Sequence, residues 1–168
     1  TGTNGKTSTA YILGEILKAN GATVLVVGTL TGERTTPEAI DLQHQFREFA
    51  DAGGTHVVME VSSHGLAMGR VNAILFDVAV FTNLGRDHLD FHGTYENYFA
   101  AKAQLFTPAL AQHAVINADD KYGQLLIDVC EVDVTTFGRA GADDVRIDVG
   151  SVDFRWNSLA IHLSMGGE

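Results

Sequence analysis

Residues 2–7 read Gly-Thr-Asn-Gly-Lys-Thr and run straight into a helical pattern. No other feature constrains the fold as tightly. Glycines at both ends let a backbone curl around an anion without side-chain clashes. A helix starting at the lysine then aims its first N–H groups at the same point. Such a loop works with a strand behind it and a helix ahead of it, which commits the chain to βαβ units. In that setting Lys6 reaches the β- and γ-phosphates of a nucleoside triphosphate, and the Thr7 hydroxyl ligates Mg²⁺. The full motif carries one more glycine, upstream of Thr1, and the leading strand is also missing. The chain is therefore expected to be a piece of a longer protein.

The rest of the sequence follows the same plan. Residues 6–20 repeat Ala10, Leu13, Ile16 and Leu17 at helical spacing and stop at Gly21. Residues 38–52, 94–106 and 119–130 also read as helices, with Thr94 as an N-cap. Residues 23–27, 56–61, 77–81 and 113–117 are short apolar runs of the kind that form buried strands, and 29–37 is a loop. Helices alternating with apolar strands predict an α/β fold of the P-loop type: three layers, with a mostly parallel sheet flanked by helices. After residue 130 the pattern turns β-rich and alternating. Residues 131–168 are expected to form an edge or subsheet within one domain spanning 1–168.

Composition narrows the partners. Eleven basic against 21 acidic residues leave a net charge of −10 and a pI near 5.0, so the surface repels nucleic acid and acidic membranes. An anionic ligand must then be held by a local device such as the glycine loop. The single Cys130 excludes an internal disulfide framework and a cysteine-based zinc site. No apolar run reaches the ~18 residues of a membrane span and no signal peptide opens the chain, so a cytoplasmic monomer is expected.

In open α/β sheets ligands gather beyond the carboxyl ends of strands. Three such ends are polar here: Arg34-Thr35-Thr36-Pro37, Ser62-Ser63-His64-Gly65, and the stretch from Thr82 to Asp90. Glu60 sits in an otherwise apolar strand, where a carboxylate needs a partner, and a cation at Thr7 is a candidate. His88 lies between two aspartates. His64 and His92 are more ambiguous and are expected either to be structural or to support the residues that touch the ligands. Lys102 falls on the apolar face of Tyr95, Tyr98, Phe99, Leu105 and Phe106, where an ammonium must snorkel or find an acid.

Together these residues resemble the central domain of the Mur ligases. The resemblance runs through TGTNGKTST, RTTPEAIDLQ, MEVSSHGLAMGRV, VFTNLGRDHLDFHGTYENYFAAKAQLF and VINADD. TTPEA with EVSSHGLA points to the branch that adds the third amino acid of the peptidoglycan stem peptide. The resemblance implies that Gly2, Thr3, Asn4, Gly5, Lys6, Thr7 and Ser8 hold ATP, with Asn83 near the adenine. It implies that Thr7, Glu60 and His88 surround Mg²⁺, and that Lys102 is a carbamate ligating a second Mg²⁺. Lys6, His88 and Lys102 would be the catalytic set. Thr35, Thr36, Ser62 and Arg70 would hold UDP-MurNAc-L-Ala-D-Glu, and an amino acid would be the other substrate. The sequence departs from the family in a short 28–35 loop, in Arg34 where an Asn is usual, and in Met68 where some members have Gln. Another Mur-type or folylpolyglutamate synthetase-like ligase, or a non-catalytic ATP-binding module, are the alternatives.

Overall fold

The computed structural model describes residues 1–139, 143–148, 151–156 and 159–164. Helix α1 (Lys6–Ala19) leaves the glycine loop through Gly5, whose φ of 82° only glycine adopts freely. It packs on the first strands through small residues, Ala10 and Gly14. A Cβ on Gly14 would sit 2.7 Å from a methyl of Val26. Leu13 and Ile16, which recur at helical spacing, are 39% and 53% exposed, because the close approach is made through Ala10 and Gly14.

Strand β1 (Val24–Val27) pairs in parallel with β2 (His56–Met59), and α2 (Ala39–Asp51) connects them. The short α3 (Ser63–Ala67) follows β2, capped by the Ser62 hydroxyl accepting from the Gly65 amide. Strand β3 (Phe76–Phe81) opens a second parallel group. After it come the single turn α4 (Leu89–His92), then α5 (Tyr95–Ala103) and a 3₁₀ turn (Gln104–Phe106). Thr94 caps α5 as expected, accepting from the Asn97 amide. The helical run predicted over 94–106 thus tightens in its last turn.

Strand β4 (Ala111–Asn117), helix α6 (Lys121–Val129) and strand β5 (Asp133–Phe137) complete the order β3-β4-β5, parallel throughout. The β-rich tail divides. β5 joins the parallel group, while β6 (Asp143–Asp148), β7 (Ser151–Trp156) and β8 (Leu159–Ser164) form an antiparallel sheet of their own.

The two parallel groups share one core, running from Val27 and Leu42 through Leu66, Val71 and Phe81 to Phe106, Ile116 and Leu126. Yet no ladder joins β2 to β3 among the described residues. Val57 on β2 and Val78 on β3 are 41% and 50% exposed. Thr1 lies on the open edge of β3: its nitrogen donates to the Val80 carbonyl at 2.6 Å and its carbonyl accepts from the Thr82 amide at 3.1 Å. Thr1 thus occupies a strand position alongside β3, and the glycine loop leaves from it between the carboxyl ends of β2 and β3.

Candidate active site

The glycine loop is clamped from the β3 side. Thr3 donates its amide to the Asn83 carbonyl, Asn83 Oδ1 accepts from the Asn4 amide, and Thr82 Oγ1 donates to the Asn4 carbonyl. Gly2 packs so closely there that a Cβ would lie 1.9 Å from Thr82 Oγ1, and its φ is 146°. Asn83, expected beside an adenine, thus brackets the loop backbone through its side chain. Lys6 folds back so that Nζ donates to the carbonyls of Gly2 and Thr3 at 3.0 and 2.9 Å. Burial lowers its pKa, while Glu60 and Asp87 pull it back up. Ser8 is exposed at the start of α1.

Thr7 and Glu60 come together at the carboxyl end of β2. Thr7 Oγ1 donates to Glu60 Oε2 at 2.8 Å, and the Thr29 amide donates to Oε1 at 2.8 Å. Glu60 is 2% exposed, just past the end of β2. Gly28 makes room for it, since a Cβ there would stand 2.1 Å from Oε1. A buried carboxylate beside a hydroxyl, at the mouth of a phosphate loop, is a hard-oxygen donor set suited to Mg²⁺. That ion takes one or two protein oxygens and completes its shell with phosphates and water. Among the described residues no three His, Cys, Asp or Glu side chains converge as a metal cluster. The fit is therefore to a phosphate-borne ion and not to an all-protein cage.

His88 and Lys102 meet through Tyr98. His88 is the only described non-glycine residue with positive φ, at 51°. Its ring lies 6.0 Å from that of Tyr98, and Lys102 Nζ sits 4.6 Å from the centroid of the same Tyr98 ring. Lys102 is 1% exposed and neither snorkels nor pairs with an acid among the described residues. Its Nζ donates to the Gly2 carbonyl at 3.0 Å. Burial, reinforced by Lys6, lowers its pKa to about 7, with Asp87 opposing. Half of such amines are neutral near pH 7.

The residues expected on the substrate side form a second cluster one step along the chain from Glu60. Thr36 is 1% exposed; its hydroxyl donates to the Glu60 carbonyl and lies 3.2 Å from Ser62 Oγ, while it accepts from the Ser62 amide. Thr36 thus braces Ser62 from within. Thr35 Oγ1 meets Thr29 Oγ1 at 2.9 Å. Arg70 is held by Glu38, at 2.8 and 3.1 Å, and donates to the Thr36 carbonyl at 3.0 Å. Arg34 also pairs with Glu38.

Sequence reasoning missed Thr29, Thr82 and the hydroxyl of Tyr98, which lies 3.1 Å from Thr3 Oγ1. Tyr98 carried a signal, since it precedes Lys102 by one helical turn. Thr29 and Thr82 carried none beyond being polar at strand ends.

A parallel sheet, a glycine loop opening a helix, and a lysine, hydroxyl and carboxylate at its mouth define a P-loop-type nucleotide-binding domain. The whole chain, residues 1–168, matches the family model of the Mur ligase middle domain, and the chain belongs to the Mur ligase family. It is 45% identical to a UDP-N-acetylmuramoyl-L-alanyl-D-glutamate–2,6-diaminopimelate ligase of Streptomyces coelicolor, over 95% of this chain and 34% of that protein. It is 55% identical to the protein of the same name from Synechococcus elongatus, over 76% of this chain and 28% of that one. A solved structure of a ligase bearing this name superposes with a TM-score of 0.82 at 31% identity, covering 97% of this chain and 37% of the other. The chain thus spans about a third of the length of the relatives it matches. No described helix is long and apolar enough to cross a membrane.

Proposed function

We propose that the polypeptide carrying this domain is a cytoplasmic, monomeric, ATP- and Mg²⁺-dependent ligase of peptidoglycan synthesis. It joins an amino acid to the D-Glu carboxylate of UDP-MurNAc-L-Ala-D-Glu, and the relatives' names make 2,6-diaminopimelate the first amino acid to test. One observation carries this reading. Glu60, on the phosphate side, and Ser62, on the sugar-peptide side, are two residues apart, and the buried Thr36 hydroxyl bonds to both. Nucleotide and acceptor would therefore meet at one strand end, as phosphoryl transfer between them requires.

A carboxylate does not condense with an amine unaided, because oxide is not a usable leaving group. Transfer of the γ-phosphoryl group to the carboxylate gives an acyl phosphate, which the amine attacks with loss of phosphate. Catalysis of such transfer is mostly alignment and charge neutralisation. The loop amides and Lys6 would hold and neutralise the phosphates. Thr7, Glu60 and His88 would hold Mg²⁺, which supplies further neutralisation when bound. Lys102, with its neutral amine, is suited to add CO₂ with loss of a proton, and the resulting carbamate is a hard oxygen ligand for a second ion. Ser62, Thr35 and Arg70 would orient the UDP-linked dipeptide.

The test is ADP release by the full-length polypeptide with ATP, Mg²⁺, UDP-MurNAc-L-Ala-D-Glu and either diaminopimelate or L-lysine. Turnover that needs both the dipeptide and an amino acid supports the reading. ATP turnover indifferent to the dipeptide refutes it. A carbamate carbon from ¹³CO₂, lost in Lys102→Ala, tests the second-metal part separately.

A further inference from the structure

Ser63 and His92 lie outside every role assigned above, yet they form a buried polar contact between α3 and α4. His92 Nε2 and Ser63 Oγ are 2.9 Å apart. Ser63 is 1% exposed and His92 8%. Burying such a pair gains less than an apolar pair of the same volume would, so the contact calls for a reason beyond packing. Its location supplies one. Ser63 opens α3, directly after β2, and His92 closes α4, after β3.

Three polar groups of His92 are engaged. Its amide donates to the His88 carbonyl at 2.9 Å, its carbonyl accepts from Asn97 Nδ2 at 3.0 Å, and its ring nitrogen meets Ser63. α4 is a single turn, begun by His88 in a left-handed conformation. One turn of helix has no stability of its own, and a left-handed histidine persists only where its surroundings hold it. Fixing the last residue of α4 therefore fixes the first. The His92 ring also leans on Tyr98, at 5.1 Å and 34°, and so touches the group that carries Lys102 and Thr3.

We infer that His92, through its contact with Ser63, is a positioning residue that holds the His88 imidazole in register with the Glu60–Ser62 strand end. The inference rests on the ligase reading only for the metal role of His88. His92→Phe keeps a ring of similar size and removes the hydrogen bond. Ser63→Ala removes the partner, and His92→Gln can restore a polar contact. The full-length polypeptide, labelled with ¹⁵N-histidine and bound to a non-hydrolysable ATP analogue, is titrated with Mn²⁺ while paramagnetic broadening of the His88 ring signals is followed. Loss of one hydrogen bond predicts that His92→Phe and Ser63→Ala each need about tenfold more Mn²⁺ for equal broadening. kcat should fall similarly with the KM for ATP unchanged. The double variant should be no worse than either single one, and His92→Gln should recover most of the loss.

Unchanged broadening in both single variants, or losses that add in the double, overturn the inference and leave His92 a packing residue. Absence of His88 broadening in the parent protein overturns it as well, whatever the activity. Broadening in a parent that shows no ligase turnover sinks the functional reading alone. Should the phenylalanine variant not fold, Ser63→Ala and His92→Gln decide the question by the same readouts.

Discussion

Replacing Lys102 with Met should stabilise the domain, and by an amount that depends on pH in a defined direction. Lys102 is 1% exposed, and its pKa falls from an ordinary 10.5 to about 7 because burial disfavours the charge. At about 1.4 kcal/mol per pH unit, that difference corresponds to a cost to the fold of about 5 kcal/mol. Below pH 7 both folded and unfolded chains carry the proton, and the cost is fully present. Between pH 7 and 10.5 the unfolded chain keeps a proton the fold has released, so stability rises with pH. Above 10.5 both states are neutral and the cost is gone.

Methionine has a similar length and no charge. It forfeits the bond to the Gly2 carbonyl, worth about 1 kcal/mol net. Its advantage over the parent should be largest at pH 6 and smaller by about 3 kcal/mol at pH 9, since roughly two of the five remain at that pH. For a domain of this size the change corresponds to about 6–12 °C in Tm. Urea unfolding of both proteins in CO₂-free buffer at pH 6, 7.5 and 9 measures it, and other titrating groups cancel in the difference. Parallel stability curves would refute the reasoning, for they would mean that Lys102 keeps an ordinary pKa.

Lys6→Ala should lower kcat of the full-length polypeptide by about 10²–10³, the usual loss for one electrostatic donor, and unchanged ATP turnover would remove the phosphate-loop role. Arg70→Ala should raise the KM for the UDP-linked dipeptide more than that for ATP, and equal effects on both would argue against a substrate contact. Thr36→Val deletes a buried hydroxyl that serves both the Glu60 carbonyl and the Ser62 amide. It should cost about 1–3 kcal/mol in urea unfolding, whereas a neutral result would show that the Ser62 segment does not need this brace.

What the sequence made legible was periodic or chemically odd. The apolar strand runs and helix stops placed most elements within a few residues, because parallel strands buried on both faces leave a continuous signal. Glu60 and Lys102 stood out as charges in apolar patterns, and both are buried. The buried face of α1 was not legible, because Gly14 carries no hydropathy signal, although its lack of a side chain lets that face meet the sheet. α3 and α4 were invisible at five and four residues, too short for a helical period to register. The Ser63–His92 contact was equally hidden: the residues are 29 positions apart, and only the fold brings α3 and α4 together.

The anchoring of the glycine loop has a mechanical consequence. The loop is bonded to Asn83 and Thr82 at the end of β3 and, through Thr7, to Glu60 at the end of β2. Segments tied through one loop resist local opening together. A nucleotide seated in the loop would act as a rivet through both strand ends. Its arrival should slow amide exchange at the carboxyl ends of β2 and β3 together, and its departure should release both at once.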